Sequence, residues 1–324
     1  MKKYFYLTML LGLLFSCSQT EDPEMMAQNE TEIQSRSLIN KNVVVHWDEE
    51  GQELDGFGIA EADCAADIFG HPKRDEVMDL LFGKNGLNVS ILRGEIFPHY
   101  WQTGEEAAFE TDVKTDMPIG DSYFQDADAN ELKRRGQLWV TQQAKKLYNI
   151  DKLFFSTWSP PAWMKHDGYL TPDNFASHGW LKPEFYQVFA DYLVEFVRAY
   201  KAAGLDIYAI SPVNEPNFEA NWNSCRWEPE ELADFIANYM GPTFEKQSVN
   251  AKIIFGELAQ WSTLVLGAFN VVSAKKYVEN VMDANPGVAK YADIAAGHGY
   301  NIPYIPYEFP IVPYDKAVDQ GLKV

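Results

Sequence analysis

The stretch IYAISPVNEPNFEANW, residues 207–222, ends an apolar, β-branched run in Asn214, Glu215 and Pro216. A carboxylate therefore sits at the tip of what reads as a buried strand, with a side-chain amide beside it and a proline stiffening the turn that aims both. A glutamate at a strand end is, by itself, most often a solvated or ion-paired surface residue. The neighbours change that reading. Hydrolysis of a glycosidic bond needs a carboxylic acid to protonate the leaving oxygen, a second carboxylate nearby, and hydrogen bonds to the sugar 2-hydroxyl. Glu215 meets the first need and Asn214 the last. Phe218 and Trp222, just beyond, offer flat apolar faces of the kind a sugar ring stacks on.

Other residues capable of chemistry also fall after strand-like runs. Arg93 follows the second such run, Trp158 and Trp163 the third, His298 and Tyr300 the sixth. Glu61, Asp63, Glu95 and Glu257 also lie near strand ends, and Glu257, in IIFGELAQW, is the tempting second carboxylate. Each has an ordinary alternative: Arg93 in an ion pair, the tryptophans in core, His298 as a structural histidine. No metal or cofactor chemistry is read. Beyond Cys17 the cysteines are Cys64 and Cys225, with no CxxC, and the six histidines form neither HxxxH nor HExxH. Cys64 and Cys225 follow the first and fourth strands, too far apart in a barrel for easy bridging, and are expected to stay thiols.

The elements that must position these groups alternate. Residues 55–60 read as a short strand, followed by a helix over 73–81. Residues 87–96 form a second strand with a helix over 130–148, and 153–158 a third. The clearest helix spans 183–203, where Phe185, Val188, Phe189, Tyr192, Phe196, Val197 and Tyr200 recur at helical spacing, with Pro183 in the first turn and Gly204 at the end. Strands over 207–213, 252–257 and 294–300 follow, with helices over 229–244, 271–282 and 314–320, and residues 321–324 look like a seventh strand beginning. Strand–helix alternation means parallel βα units, in a doubly wound sheet or a (β/α)₈ barrel. No GxGxxG follows a strand, and the chemistry-bearing residues sit after nearly every strand, so the barrel is the better reading.

Composition narrows the partners. The chain has 324 residues, 46% hydrophobic and 14% aromatic, enough for one large core, and a net charge of −20. Such acidity argues against nucleic acid and anionic membrane surfaces as partners and is compatible with a neutral ligand. Lys2 and Lys3 precede an apolar run over 4–15 of signal-peptide length, ending in LFSC at Cys17. That ending resembles the lipobox of bacterial lipoproteins, which implies a signal peptide over 1–17 and lipidation of Cys17. The acidic residues Glu21, Asp22 and Glu24 resemble a surface-export signal. The expectation is an exported lipoprotein of a Gram-negative bacterium, on the cell surface or the periplasmic face of the outer membrane. Residues 18–40, polar and without periodicity, read as a flexible tether, and 43–47 as a strand within an N-terminal β segment over 41–53.

From about residue 54 onward the sequence resembles family 30 of the glycoside hydrolases, which includes xylanases, β-1,6-glucanases and acid glucosylceramidases. The resemblance is carried by STWSPPAWMK at 156–165, the helix LKPEFYQVFADYLVEFVRAY at 181–200, and AISPVNEPNF at 209–218. The longer run NEPNFEANWNSCRWEPEE is most similar to the bacterial xylanase branch. The resemblance implies a retaining mechanism on a (β/α)₈ TIM barrel over 54–324, flanked by a β-sandwich. Glu215 would be the general acid/base, Asn214 the 2-hydroxyl contact and Arg93 the partner of the nucleophile. Trp158, Trp163, Phe218 and Trp222 would line the cleft, with His298 and Tyr300 beside the nucleophile. The family's nucleophile follows the seventh strand, which leaves Glu257 outside the first contacts. It also implies that the nucleophile lies just beyond Val324, so that the barrel is incomplete, the chain is an N-terminal fragment, and the fragment alone is inactive. The first-strand loop GFGIAEADCAAD departs from the family by lacking an aromatic, and the segment 97–128 is a long acidic, aromatic insertion.

The leading expectation is an endo-β-1,4-xylanase, monomeric and lipid-anchored, acting on a β-linked polysaccharide or oligosaccharide. A β-1,6-glucanase or a glucosylceramidase-like β-glucosidase is the alternative within enzymes. A non-catalytic glycan-binding surface lipoprotein is the alternative outside them.

Overall fold

The computed structural model describes residues 47–49, 53–62, 64–98, 127–170, 179–218, 220, 222–259, 264–266, 269–271, 274–299 and 314–324. Asp55–Asn301 and Pro306–Val324 form one compact unit, and of the remainder only the exposed turn at Trp47 and a short stretch ending at Leu54 are described. The strand expected over 43–47 thus fails at Trp47, which is in a turn and 92% exposed, while 43–46 lie outside the described residues.

Six parallel strands make one sheet: β1 (Gly58–Ala60), β2 (Ile91–Ile96), β3 (Lys152–Thr157), β4 (Ala209–Ser211), β5 (Lys252–Leu258) and, after an antiparallel hairpin of β6 (Leu264–Leu266) and β7 (Phe269–Val271), β8 (Ala292–Gly297). Their order in the sheet is β1-β2-β3-β4-β5-β8. It advances in one direction with no reversal, which is barrel order; a doubly wound sheet turns back at a switch point. The chain next to β8 continues the series. Lys323 forms a parallel bridge to Ile294, with Lys323 N donating to Asp293 O at 2.9 Å and Ala295 N to Lys323 O at 2.8 Å.

Helices fill the crossovers. α1 (Ala65–Gly70) and α2 (Arg74–Phe82) follow β1, α3 (Ala127–Tyr148) follows β2, and α4 (Tyr186–Ala202) follows β3 through a 3₁₀ turn at Pro183–Phe185. After β4 come α5 (Pro229–Phe235), a π-helical turn Ile236–Met240 and α6 (Gly241–Lys246). α7 (Ala274–Ala284) and α8 (Val288–Tyr291) lead into β8, and α9 (Asp315–Asp319) follows it. α4 forms because its apolar residues recur on one face: Phe189, Tyr192, Phe196 and Tyr200 are buried, and Gly204, at φ +85°, takes the left-handed turn that ends it. α5 opens on Pro229 and a reciprocal cap between Glu228 and Glu231, which satisfies backbone donors at its start.

Phe155 on β3 meets Phe196 and Tyr200 of α4 at centroid distances of 5.3 and 4.6 Å, which locks sheet to helix layer. Opposite it on β2, Gly94 leaves room for that ring: a Cβ there would lie 2.3 Å from Phe155. Several expected boundaries shift. β2 begins at Ile91 rather than 87, and β4 keeps only three residues of 207–213. The helix expected over 229–244 is interrupted by the π turn, and that expected over 271–282 starts at Ala274 because Val271 belongs to the unforeseen hairpin. β8 runs 292–297, not 294–300. α1 was not legible either.

At the strand N-termini, Asp55 accepts from Lys152 Nζ at 2.8 Å and from Lys323 Nζ at 2.6 Å. The two ammonium groups hold its carboxyl down at about 2.

Candidate active site

The strand C-termini converge on a compact polar cluster. Asn214 and Glu215 follow β4, and both are buried, at 6% and 8% exposure. Asn214 N donates to Thr157 O at the end of β3 (2.7 Å), and Glu215 N to Glu257 O at the end of β5 (3.2 Å). The turn is therefore bonded to both neighbouring strands rather than hanging in solvent. Glu215 and Glu257 both lie in the left-handed region, at φ 49° and 48°. For a non-glycine residue that conformation costs about 1–3 kcal/mol, and it persists only where the surroundings over-determine it.

Arg93, in β2, joins these residues. Its Nη2 donates to Asn214 Oδ1 at 2.7 Å and to Glu257 Oε1 at 3.3 Å, and its guanidinium lies 4.5 Å from the ring centroid of Trp158. Ser156 Oγ donates to the other oxygen of Glu257. Since Arg93 only donates, it fixes Asn214 with its carbonyl toward the guanidinium, and the amide NH₂ is the group left for a hydroxyl acceptor. His298, after β8, is held by its own N–H to Leu258 O at 2.7 Å, and its Nδ1 lies 2.9 Å from Glu215 Oε1.

A second layer surrounds this cluster. Glu95, two residues beyond Arg93, accepts from Asn223 Nδ2 at 2.8 Å. Its peptide is bracketed by the Gln137 side chain of α3, which accepts from Glu95 N at 2.8 Å and donates to Glu95 O at 2.9 Å. Thr141 of α3 donates to Glu61 Oε1 at 2.7 Å. Complete burial pushes the Glu61 carboxyl well above the usual carboxylate range, the Thr141 bond opposing only in part. Cys64 and Cys225 are both thiols; Cys64 is exposed, and burial pushes Cys225 up to about 12.

Of the residues named from sequence, Arg93, Trp158, Asn214, Glu215 and His298 come together. Phe218 and Trp222 sit on the same loop with ring centroids 6.0 Å apart. Trp163 packs edge-on against Phe185 at 4.8 Å, at the margin of the core. Tyr300, Asp63 and Cys17 lie outside the described residues. Glu257, expected outside the first contacts, is the carboxylate that Arg93 bonds to. Ser156 was missed, although a serine directly after the apolar run Leu153, Phe154 and Phe155 is itself a signal.

A parallel barrel carrying an Asn-Glu pair, an arginine and a second carboxylate at its strand ends is the arrangement of a barrel glycosidase. The sequence profile of the glycosyl hydrolase family 30 TIM-barrel domain matches residues 54–299, and the chain belongs to that family. A Caenorhabditis elegans protein named as a glucosylceramidase is 26% identical over 289 residues, covering 87% of this chain and 52% of that protein. An endo-1,6-β-D-glucanase of Trichoderma harzianum is 28% identical over 214 residues, covering 62% and 42%. Among solved structures, a family 30 subfamily 8 xylanase from Clostridium acetobutylicum superposes with TM-score 0.53 and 26% identity, over 84% of this chain and 54% of that one. The chain thus spans about half the length of the relatives it matches.

Proposed function

We propose that this protein is a retaining β-glycosidase in which Glu215 protonates the leaving oxygen and then activates the water. The observation that carries the reading is Glu215 held in a left-handed turn, with one oxygen 2.9 Å from His298 Nδ1. An imidazole bearing its proton on Nδ1 donates to the ionised carboxylate. The same N–H donates to the carbonyl oxygen of the carboxylic acid, which leaves the acid proton on the other oxygen for transfer. One contact therefore serves both states of a residue that must alternate between acid and base. Asn214, held by Arg93, offers its amide to the 2-hydroxyl. On this reading Glu257 is not the nucleophile and keeps Arg93 charged and in place. Labelling with a 2-deoxy-2-fluoro-β-glycoside followed by peptide mapping tests this, and a label on Glu257 would overturn the placement.

The substrate proposed first is β-1,4-xylan, on the likeness of residues 214–231 to bacterial xylanases. The β-1,6-glucanase and glucosylceramidase relatives favour the second reading, a glucosyl substrate. Incubation with xylan, β-1,6-glucan and glucosylceramide, with product analysis, separates them: mixed oligosaccharides from xylan support the first, and release of glucose or gluco-oligosaccharides alone supports the second. Binding without turnover would favour the glycan-binding scaffold. We also propose surface display through a lipid on Cys17, tested by incorporation of a palmitate analogue that a Cys17→Ala chain fails to take up.

A further inference from the structure

We infer that Glu95 and Lys165 are positioning residues that anchor the loop after Glu215 as a platform for the sugar on the leaving-group side of the scissile bond; this rests on the glycosidase reading above. Two buried charged side chains, one on β2 and one after the 3₁₀ turn Ala162–Met164 that follows β3, converge on that loop. Glu95, 3% exposed at the end of β2, accepts from Asn223 Nδ2 at 2.8 Å, and Asn223 is itself 2% exposed. Lys165, fully buried beyond β3, donates from Nζ to Ser224 O at 2.8 Å and to Leu170 O at 3.0 Å. Adjacent residues of one loop are thus gripped by a carboxylate on one and an ammonium on the next. The loop is further tied by Ser224 N to Leu170 O (3.1 Å) and Trp227 N to Pro216 O (2.9 Å). Burying charge is costly unless the contact is needed. Here both charges bond directly to the loop, Glu95 through Asn223 and Lys165 through Ser224.

What the loop presents is the partly exposed pair Phe218 and Trp222, Trp222 being next to Asn223. Phe218 N donates to Glu215 O at 2.9 Å, so the pair begins within one turn of the acid. Glu215 hands its proton to the leaving oxygen, so aromatic faces fixed relative to it meet the leaving sugar and not the one being attacked. A stacking face contributes only if it is already in place, because ordering a loop on binding offsets the contact. Glu95 is itself braced from behind. Gln137 holds both its N–H and its C=O, so the strand end cannot swing when Asn223 pulls on it.

The test uses the full chain and two readouts, amide hydrogen exchange over 216–227 and affinity for β-1,4-xylotetraose, β-1,6-glucotetraose and a methyl β-glycoside of each. Glu95→Ala and Asn223→Ala are each expected to speed exchange over 216–227 at least tenfold and weaken the preferred tetraose five- to fiftyfold. Methyl glycoside affinity stays within twofold, the double variant is no worse than either single one, and Glu95→Gln, which still accepts from Asn223, behaves as wild type. Lys165→Met is expected to repeat the exchange effect. Unchanged exchange, or equal losses for tetraose and methyl glycoside, would overturn the proposal. Asn223→Ala carries the test if Glu95→Ala does not fold. A wild-type chain that binds none of these tetraoses or methyl glycosides overturns the glycosidase reading, and one that binds a methyl glycoside but neither tetraose overturns the subsite alone, while the exchange readout decides the anchoring separately.

Discussion

The two ends of the sheet handle the same pairing of carboxylate and cation in opposite ways. At the strand N-termini, Asp55 meets Lys152 and Lys323 where all three side chains are 31–51% exposed, on ordinary backbone. At the C-termini, Glu257 meets Arg93 with 3% and 16% exposure, on backbone forced to positive φ, with Ser156 and the Glu215 peptide bonded to the same residue. The first arrangement can be lost at little cost, because water replaces each partner. The second cannot, because removing one partner strands the other, largely buried, without its counter-charge. A barrel thus separates stability at one face from chemistry at the other, and substitutions at the two ends should differ in kind as well as in size.

The largest effect belongs to Glu215. Glu215→Gln is expected to lower hydrolysis of unactivated β-glycosides by ~10²–10⁴-fold while the thermal unfolding midpoint stays within a few degrees; a kinetic assay beside a melting curve checks both, and retained turnover would place the acid elsewhere. Next is Glu257→Leu, which leaves the Arg93 charge without its carboxylate and should cost about 3–5 kcal/mol in urea unfolding, with Arg93→Met in the same chain restoring much of it. If the single variant is as stable as wild type, the contrast between the two ends fails. Gly94→Ala follows, at about 1–3 kcal/mol, because the new methyl meets the Phe155 ring in the core layer behind the site; urea unfolding measures it.

The smallest effect is expected at Asp55, and pH identifies it. Its carboxyl is lowered to about 2 in the folded chain from an ordinary 3.8, so its contribution is fully present above pH ~4 and disappears as pH falls toward 2. Asp55→Asn should lower the unfolding midpoint slightly at neutral pH, and the gap should close below pH ~2. A gap of constant size across that range would show that the two lysines act through something other than charge.

How much of this was legible from residues alone depended on local pattern. α4 was, because seven apolar residues repeat at helical spacing and Pro183 and Gly204 bracket them. Alternation of elements gave parallel βα units, and the chemistry-bearing residues after nearly every strand, with no GxGxxG, favoured the barrel over a doubly wound sheet. The Asn214–Glu215 turn was visible because a carboxylate at the tip of an apolar strand contradicts burial unless something compensates. The contacts of Glu257 were not legible for a physical reason: β4 and β5 pair directly, and a bond from Glu215 N to Glu257 O depends on strand register, which sequence spacing does not carry. The hairpin of β6 and β7 escaped because three-residue strands have no period to read. Glu95 looked like one more strand-end acid, since its partner Asn223 lies 128 residues further along the chain.

The hydrogen bond from the Glu215 peptide to the carbonyl of Glu257 has a practical consequence. It ties the acid's backbone to β5 through main chain, so the turn's anchorage there does not depend on the Glu215 carboxyl group. A chain carrying Glu215→Gln therefore keeps its Asn214, its Arg93 and its aromatic faces in register while losing its reactive proton. On the proposed reading such a chain is a lectin by single substitution, able to hold and report the glycan that the parent enzyme would cut.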